Sequence, residues 1–164
     1  MDSLNNYIRE YKKQLAKGDI KKVYQGIIYF LMKFRLHMQK KYPELHVTSS
    51  INQGIMDVSY FAFSSDFLKK RKLKIVLLFK HDSISFEAWL CGFNKKIQQK
   101  YWEFIKASGW DKYRIADSLA GNYSIIEHLL NESPDFDNQD GLMEQMEDGI
   151  IQFLEDIENH LDSQ

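Results

Sequence analysis

The chain has 164 residues, 44% hydrophobic and 27% charged, an apolar content that excludes intrinsic disorder and predicts one folded domain over 1–164. Its net charge of -1 conceals a division: residues 1–110 carry 20 Lys or Arg against 9 Asp or Glu, whereas residues 111–164 carry 2 against 14. A lone cysteine, Cys91, excludes an intramolecular disulfide and any multi-thiolate metal site.

Ser3 is placed to cap a first helix running to about Lys17, with Leu4, Ile8, Tyr11 and Leu15 forming one apolar stripe. Gly18 ends it, and Asp19 is placed to cap a second helix that stops at Tyr42-Pro43, so the two read as a helical hairpin. The stripe of this second helix is Ile20, Val23, Ile27, Leu31, Phe34 and Met38. After Pro43 the pattern changes to strands at Val47 to Ile51 and Ile55 to Phe63. A polar connection from Ser64 to Lys72 leads to Leu73 to Phe79, apolar enough for a central strand covered on both faces. His81-Asp82-Ser83 then turns the chain into Ile84 to Phe93, an antiparallel partner.

Asn94 is placed to cap a third helix from Lys95 to about Ser108, closed by Gly109. A loop containing Trp110, Tyr113 and Gly121-Asn122 precedes Tyr123 to Leu130, an apolar run too short to separate strand from helix, read here as a final strand. Asn138 or Asp140 then caps an acidic helix with an apolar face of Leu142, Met146, Ile150, Phe153, Leu154, Ile157 and Leu161. The fold class is therefore α+β: an N-terminal helical hairpin, a mostly antiparallel sheet of four to five strands, flanking helices and an acidic amphipathic C-terminal helix. A solvated acidic tail has no need of an apolar stripe, so the last helix is expected to dock on the basic body; the alternative is a partner-binding segment.

Chemistry leaves a thinner trace. The eight glycines do not fall in a phosphate-loop spacing, which argues against nucleotide binding of that kind. His37, His46, His81, His128 and His160 form no metal-binding pair at helical spacing, no serine sits in a nucleophile elbow, and neither metal nor cofactor is expected. Asp57, Glu87 and His128 are polar residues inside predicted strands and form the weak catalytic set, with a satisfied structural role as the commoner reading. Lys95, Lys96, Lys100 and Trp102 on the third helix form the weak binding set, pairing cations with aromatics as surfaces that grip phosphates and stack bases do. Nucleic acid is weighed as a partner and not favoured, because the pI is about 6.5. A protein partner or self-association stays open, and membrane association is not expected, since no apolar run approaches about 18 residues. The first residues lack the basic and apolar regions of a secretory signal, which with the single cysteine predicts a cytoplasmic protein, leaning away from enzyme activity.

The order helix, three strands, helix, strand resembles the core of the restriction-endonuclease-like superfamily, which implies metal-dependent phosphodiester cleavage. Asp57 and Glu87 match its acids, but Glu87-Ala88-Trp89 has tryptophan where the superfamily has lysine, leaving Lys74, Lys96 or Lys100 as displaced substitutes. The segments from Leu4 to Lys12, Phe86 to Lys95 and Lys100 to Trp102 resemble an uncharacterised bacterial domain-of-unknown-function family over nearly the whole chain. That resemblance implies no activity or ligand. The leading expectation is a noncatalytic cytosolic binding or interaction domain; the alternative is a divergent metal-dependent nuclease-like hydrolase.

Overall fold

The structure is a computed structural model that describes residues 3–121 and 123–164. Two helices, α1 (Leu4–Ala16) and α2 (Asp19–Lys41), lead into a six-stranded antiparallel sheet. Its strands are β1 (His46–Val47), β2 (Val58–Ser64), β3 (Leu73–Lys80), β4 (Ser85–Gly92), β5 (Arg114–Ile115) and β6 (Ile126–Asn131). Their order is β1-β2-β3-β4-β6-β5. A short α3 (Asp66–Lys70) joins β2 to β3, α4 (Lys95–Ser108) follows β4, and α5 (Gln139–Asp162) closes the chain.

The α+β class, the central position of β3 and its hairpin with β4 agree with the sequence reading; against the five strands read from the sequence, the sheet gains β5, a strand of two residues. The expected strand Val47 to Ile51 shortens to β1, because the chain bends away after Val47 and rejoins the sheet through Thr48, the Asn52–Tyr60 bridge and the Gln53 carbonyl. The connection read as merely polar contains α3, whose first turn is capped by Ser65 Oγ accepting from the Leu68 amide. Asp19 is the first helical residue of α2 rather than its cap, and Gly18 before it takes φ 85°, a left-handed turn that suits glycine. The stripe expected on α1 is uncovered: none of its residues is buried, and Leu4, Ile8 and Tyr11 are exposed. The α2 stripe enters the core only from Ile27 onward, with Ile20 and Val23 exposed. Asn122 lies outside the described residues.

Sheet geometry explains where the core sits. Alternate side chains leave opposite faces, and on one face Phe61 and Phe63 of β2, Ile75, Leu77 and Phe79 of β3, and Phe86, Ala88 and Leu90 of β4 meet α2 and α5. Phenylalanines dominate it: Phe30 and Phe79 pack on Phe86 at 5.6 and 5.0 Å, and Phe34 meets Phe61 edge-on at 6.1 Å.

The acidic helix is part of this core. Leu142, Met146, Ile150, Phe153, Leu154, Ile157 and Leu161 are all buried, as the stripe predicts. One acid goes in with them. Glu147 is 6% exposed, and at the C-terminal end of α2 its carboxylate accepts from His37 Nε2 at 2.6 Å, from Tyr42 Oη at 2.6 Å and from Lys41 Nζ. Burial pushes its pKa up, but the hydrogen bonds from Lys41, Tyr42 and His37 outweigh that and bring it down to about 2. Further along, Asp156 accepts from Tyr113 Oη at 2.5 Å and pairs with Lys112 at 2.8 Å, while Trp110 stacks on His160 at 4.2 Å. The acidic helix therefore meets the basic body at Glu147, while Asp156 is answered by Lys112 and Tyr113 of its own third of the chain.

The β3–β4 hairpin holds one strained residue. Ile84 closes the loop at φ 52°, a region that costs a β-branched side chain about 1 to 2 kcal/mol, and its side chain is 48% exposed. Ile84→Gly is expected to raise stability by about 1 kcal/mol. A urea midpoint that rises with an unchanged slope confirms the strain, and a lower midpoint refutes it.

Candidate ligand-binding cleft

The other face of the sheet carries a second, smaller cluster: Ala62, Val76, Leu78 and Cys91 are buried, with Val58, Tyr60 and Trp89 half-buried around them. No helical residue belongs to it. Leu78 is nevertheless 1% exposed, in a cluster against which Val58, Tyr60 and Trp89 pack. An apolar floor without a helix over it is an open groove.

Two adjoining hollows occupy this side, of about 600 and 340 Å³, and Lys74, Gly92 and Tyr123 line both. Both volumes fall in the range of small-molecule sites. The smaller hollow lies over Tyr60, Val76, Leu78 and Trp89 and is walled by Gly54 and Asp57. The larger runs to the start of α4, where Asn94, Lys95, Gln98 and Gln99 face the loop residues Leu119, Ala120 and Gly121.

The junction of β4 and α4 is built around a close approach. A Cβ on Gly92 would lie 2.6 Å from the Gln98 backbone nitrogen, so only glycine lets the strand end run beneath the first helical turn. Asn94 caps α4 by accepting from the Ile97 amide at 3.0 Å, and the Gly92 amide donates to Gln98 Oε1 at 2.6 Å. That second bond fixes the side-chain orientation, since only the oxygen can accept. It leaves Gln98 Nε2, in a side chain 7% exposed, as a buried donor with no partner among the described residues. An unmet buried donor costs about 1 to 3 kcal/mol, which calls for a specific reason.

The electrostatics of the larger hollow are one-sided. Lys74 and Lys95 line the larger hollow without a carboxylate within 4 Å, and no acidic residue lines it among those described. Cys91, the cross-strand partner of Lys74, has its thiol pushed up to about 12 by burial, against a smaller pull from Lys74, and is thus a neutral part of the floor.

The residues singled out from the sequence are not gathered into one site. Asp57 Oδ1 accepts from the Val58 amide at 2.7 Å and the Ile55 amide at 2.9 Å, bonds that lower its pKa and hold the 52–57 turn. Glu87 accepts from Trp89 Nε1 at 2.6 Å and pairs with Lys80 at 3.5 Å on the groove face. His128 stands opposite Ala88, on the core face, between Tyr113 and Phe153, where burial lowers its pKa. Glu87 and His128 therefore lie on opposite sides of the sheet. Among the described residues no three His, Cys, Asp or Glu side chains cluster as a cation site.

On α4 the binding set divides in the same way. Lys95 lines the cleft, Lys96 is exposed, and Lys100 lies 5.3 Å from the Tyr101 ring, away from the cleft. Trp102 donates to the Ala116 carbonyl at 2.7 Å and has Lys106 over its ring, so it anchors α4 to the β5 segment and is not free to stack a base. Lys74, Gly92 and Gln98 are the residues that sequence reasoning did not assemble. The available signal was a glycine ending a strand two residues before a helix cap, with glutamine one turn into the helix.

Residues 4–161 match the model of a family described as a domain of unknown function (DUF7000), and the chain belongs to that family. No curated protein and no solved structure matches it. No helix among the described residues is long and apolar enough to cross a membrane.

Proposed function

We propose that this member of a family of unknown function is a noncatalytic binding domain whose ligand seat is the helix-free face of the sheet, from the 52–57 turn to the start of α4. The observation that carries the reading is the second apolar cluster: Tyr60, Val76, Leu78 and Trp89 form a floor with walls at both ends and, among the described residues, no helix packed in the cluster. A concave, mostly apolar hollow with a few convergent polar groups is the ordinary form of a small-molecule site. The nuclease-like alternative has less behind it, because Asp57 is spent on backbone amides and Glu87 on Trp89 and Lys80. A bacterial cytosolic setting belongs to this proposal, resting on the family resemblance and on the single buried thiol.

The test is a fragment library screened by protein-observed NMR. Hits are expected to move the Trp89 indole resonance together with the amides of Tyr60, Val76 and Cys91. A library that leaves this face unmoved, or hits that all map elsewhere, contradicts the reading. Magnesium or manganese raising the melting temperature, together with cleavage of a single- or double-stranded nucleic acid, would favour the hydrolase instead.

A further inference from the structure

We propose that the start of α4, with Lys74, Lys95 and the side-chain amide of Gln98, binds the phosphate of a small aromatic phosphate ester whose ring lies on the Trp89 floor. The inference rests on the binding reading above and adds the chemical class of the ligand. Three independent observations converge on it. The first-turn amides of Lys95 and Lys96 have no intrahelical acceptor by the geometry of a helix, and Asn94 meets only that of Ile97, so the N-terminus of this 14-residue helix presents donors without an acceptor among the described residues, and positive potential. Gln98, 93% buried in the wall of the same hollow, holds its Nε2 with no acceptor because its oxygen is fixed by the Gly92 amide. Lys74 and Lys95 supply charge to a hollow whose described lining contains no carboxylate.

The neighbouring floor sets the rest of the ligand. Lys74, Gly92 and Tyr123 line both hollows, so a molecule with its anionic end at α4 extends directly over Trp89, Val76 and Leu78. A neutral polar ligand leaves the two lysines unanswered. A long anionic polymer is disfavoured on the same face, since Asp57 and Glu87 lie along its continuation.

The experiment is a set of NMR titrations of the full chain at constant ionic strength with three probes: inorganic phosphate, phenyl phosphate and phenol. Both phosphates are expected to give saturable shifts of the Lys95 and Lys96 amides and of the Gln98 side-chain amide, with phenyl phosphate binding at least tenfold tighter than free phosphate. Phenol is expected to move only the Trp89 region. In a folded Lys74→Gln variant, phenyl phosphate affinity falls about tenfold while the phenol response is retained. Phenol shifts at Trp89 with no saturable phosphate shift at Lys95, Lys96 or Gln98 overturn the inference and leave the binding reading standing. Silence from all three probes overturns both. Equal affinity of phosphate and phenyl phosphate contradicts the placement of the ring and identifies a free-anion site.

Discussion

Deleting the chain from Gly141 onward is expected to abolish cooperative unfolding rather than to trim a tail. The seven apolar side chains that α5 buries, from Leu142 to Leu161, each contribute about 1.5 to 3 kcal/mol when removed from water, roughly 10 to 20 kcal/mol together. That equals or exceeds the whole stability of an ordinary domain, about 5 to 15 kcal/mol. The truncated chain would expose Phe30, Phe34 and Phe61 and is expected to lose near-ultraviolet circular dichroism and to bind hydrophobic dyes. A truncated protein with an unchanged melting transition would show that the helix is not integral. Charge alone pointed to a detachable acidic tail; the burial of the stripe makes α5 a structural element whose negative side chains meet basic residues at chosen places.

Glu147→Ala is expected to be the most damaging single change among the charged residues, at about 3 kcal/mol, because it strips a buried carboxylate from three donors at once. The direction of the pH dependence follows from the lowered pKa. In the unfolded chain this carboxyl titrates near 4.5, and in the fold at about 2. Its contribution is therefore complete above about pH 5 and is lost progressively as the pH falls toward 2. The wild-type chain is expected to lose stability steeply across that window, and Glu147→Gln, which keeps the shape without the charge, to show a lower plateau and a shallower acid limb. Urea midpoints measured from pH 2 to pH 7 decide it: parallel curves for the two proteins would mean that Glu147 does not carry the acid sensitivity.

Much of the architecture was legible because it is written in periodicity. The α5 face, the α2 residues from Ile27 to Met38 and the apolar run of β3 declare themselves by spacing alone. Periodicity does not say whether a stripe has a partner within the chain, which is why Leu4, Ile8 and Tyr11 form an apolar stripe in the sequence and are exposed in the fold. Short elements carry too few residues to show a period, so α3 and the two-residue strand β5 lie unmarked in the connections, and β1 reads longer than it is.

The candidate site was less legible for a different reason. Asp57, Glu87 and His128 stood out as polar residues among apolar neighbours, yet strand parity sends Glu87 and His128 to opposite faces, and Asp57 serves its own turn. Gln98 has no distinguishing neighbourhood in sequence. It becomes conspicuous only when Gly92 lets the strand end come close enough for its amide to take the glutamine oxygen, leaving the nitrogen buried without a partner.

The most direct test of the binding cleft is a crystal structure of the full chain soaked with phenyl phosphate. Density bridging the Trp89 floor and the first turn of α4, with an oxygen near Gln98 Nε2 or Lys74 Nζ, is the predicted result. An empty sheet face in a crystal where that face is free of lattice contacts, with the compound bound elsewhere, would contradict the account.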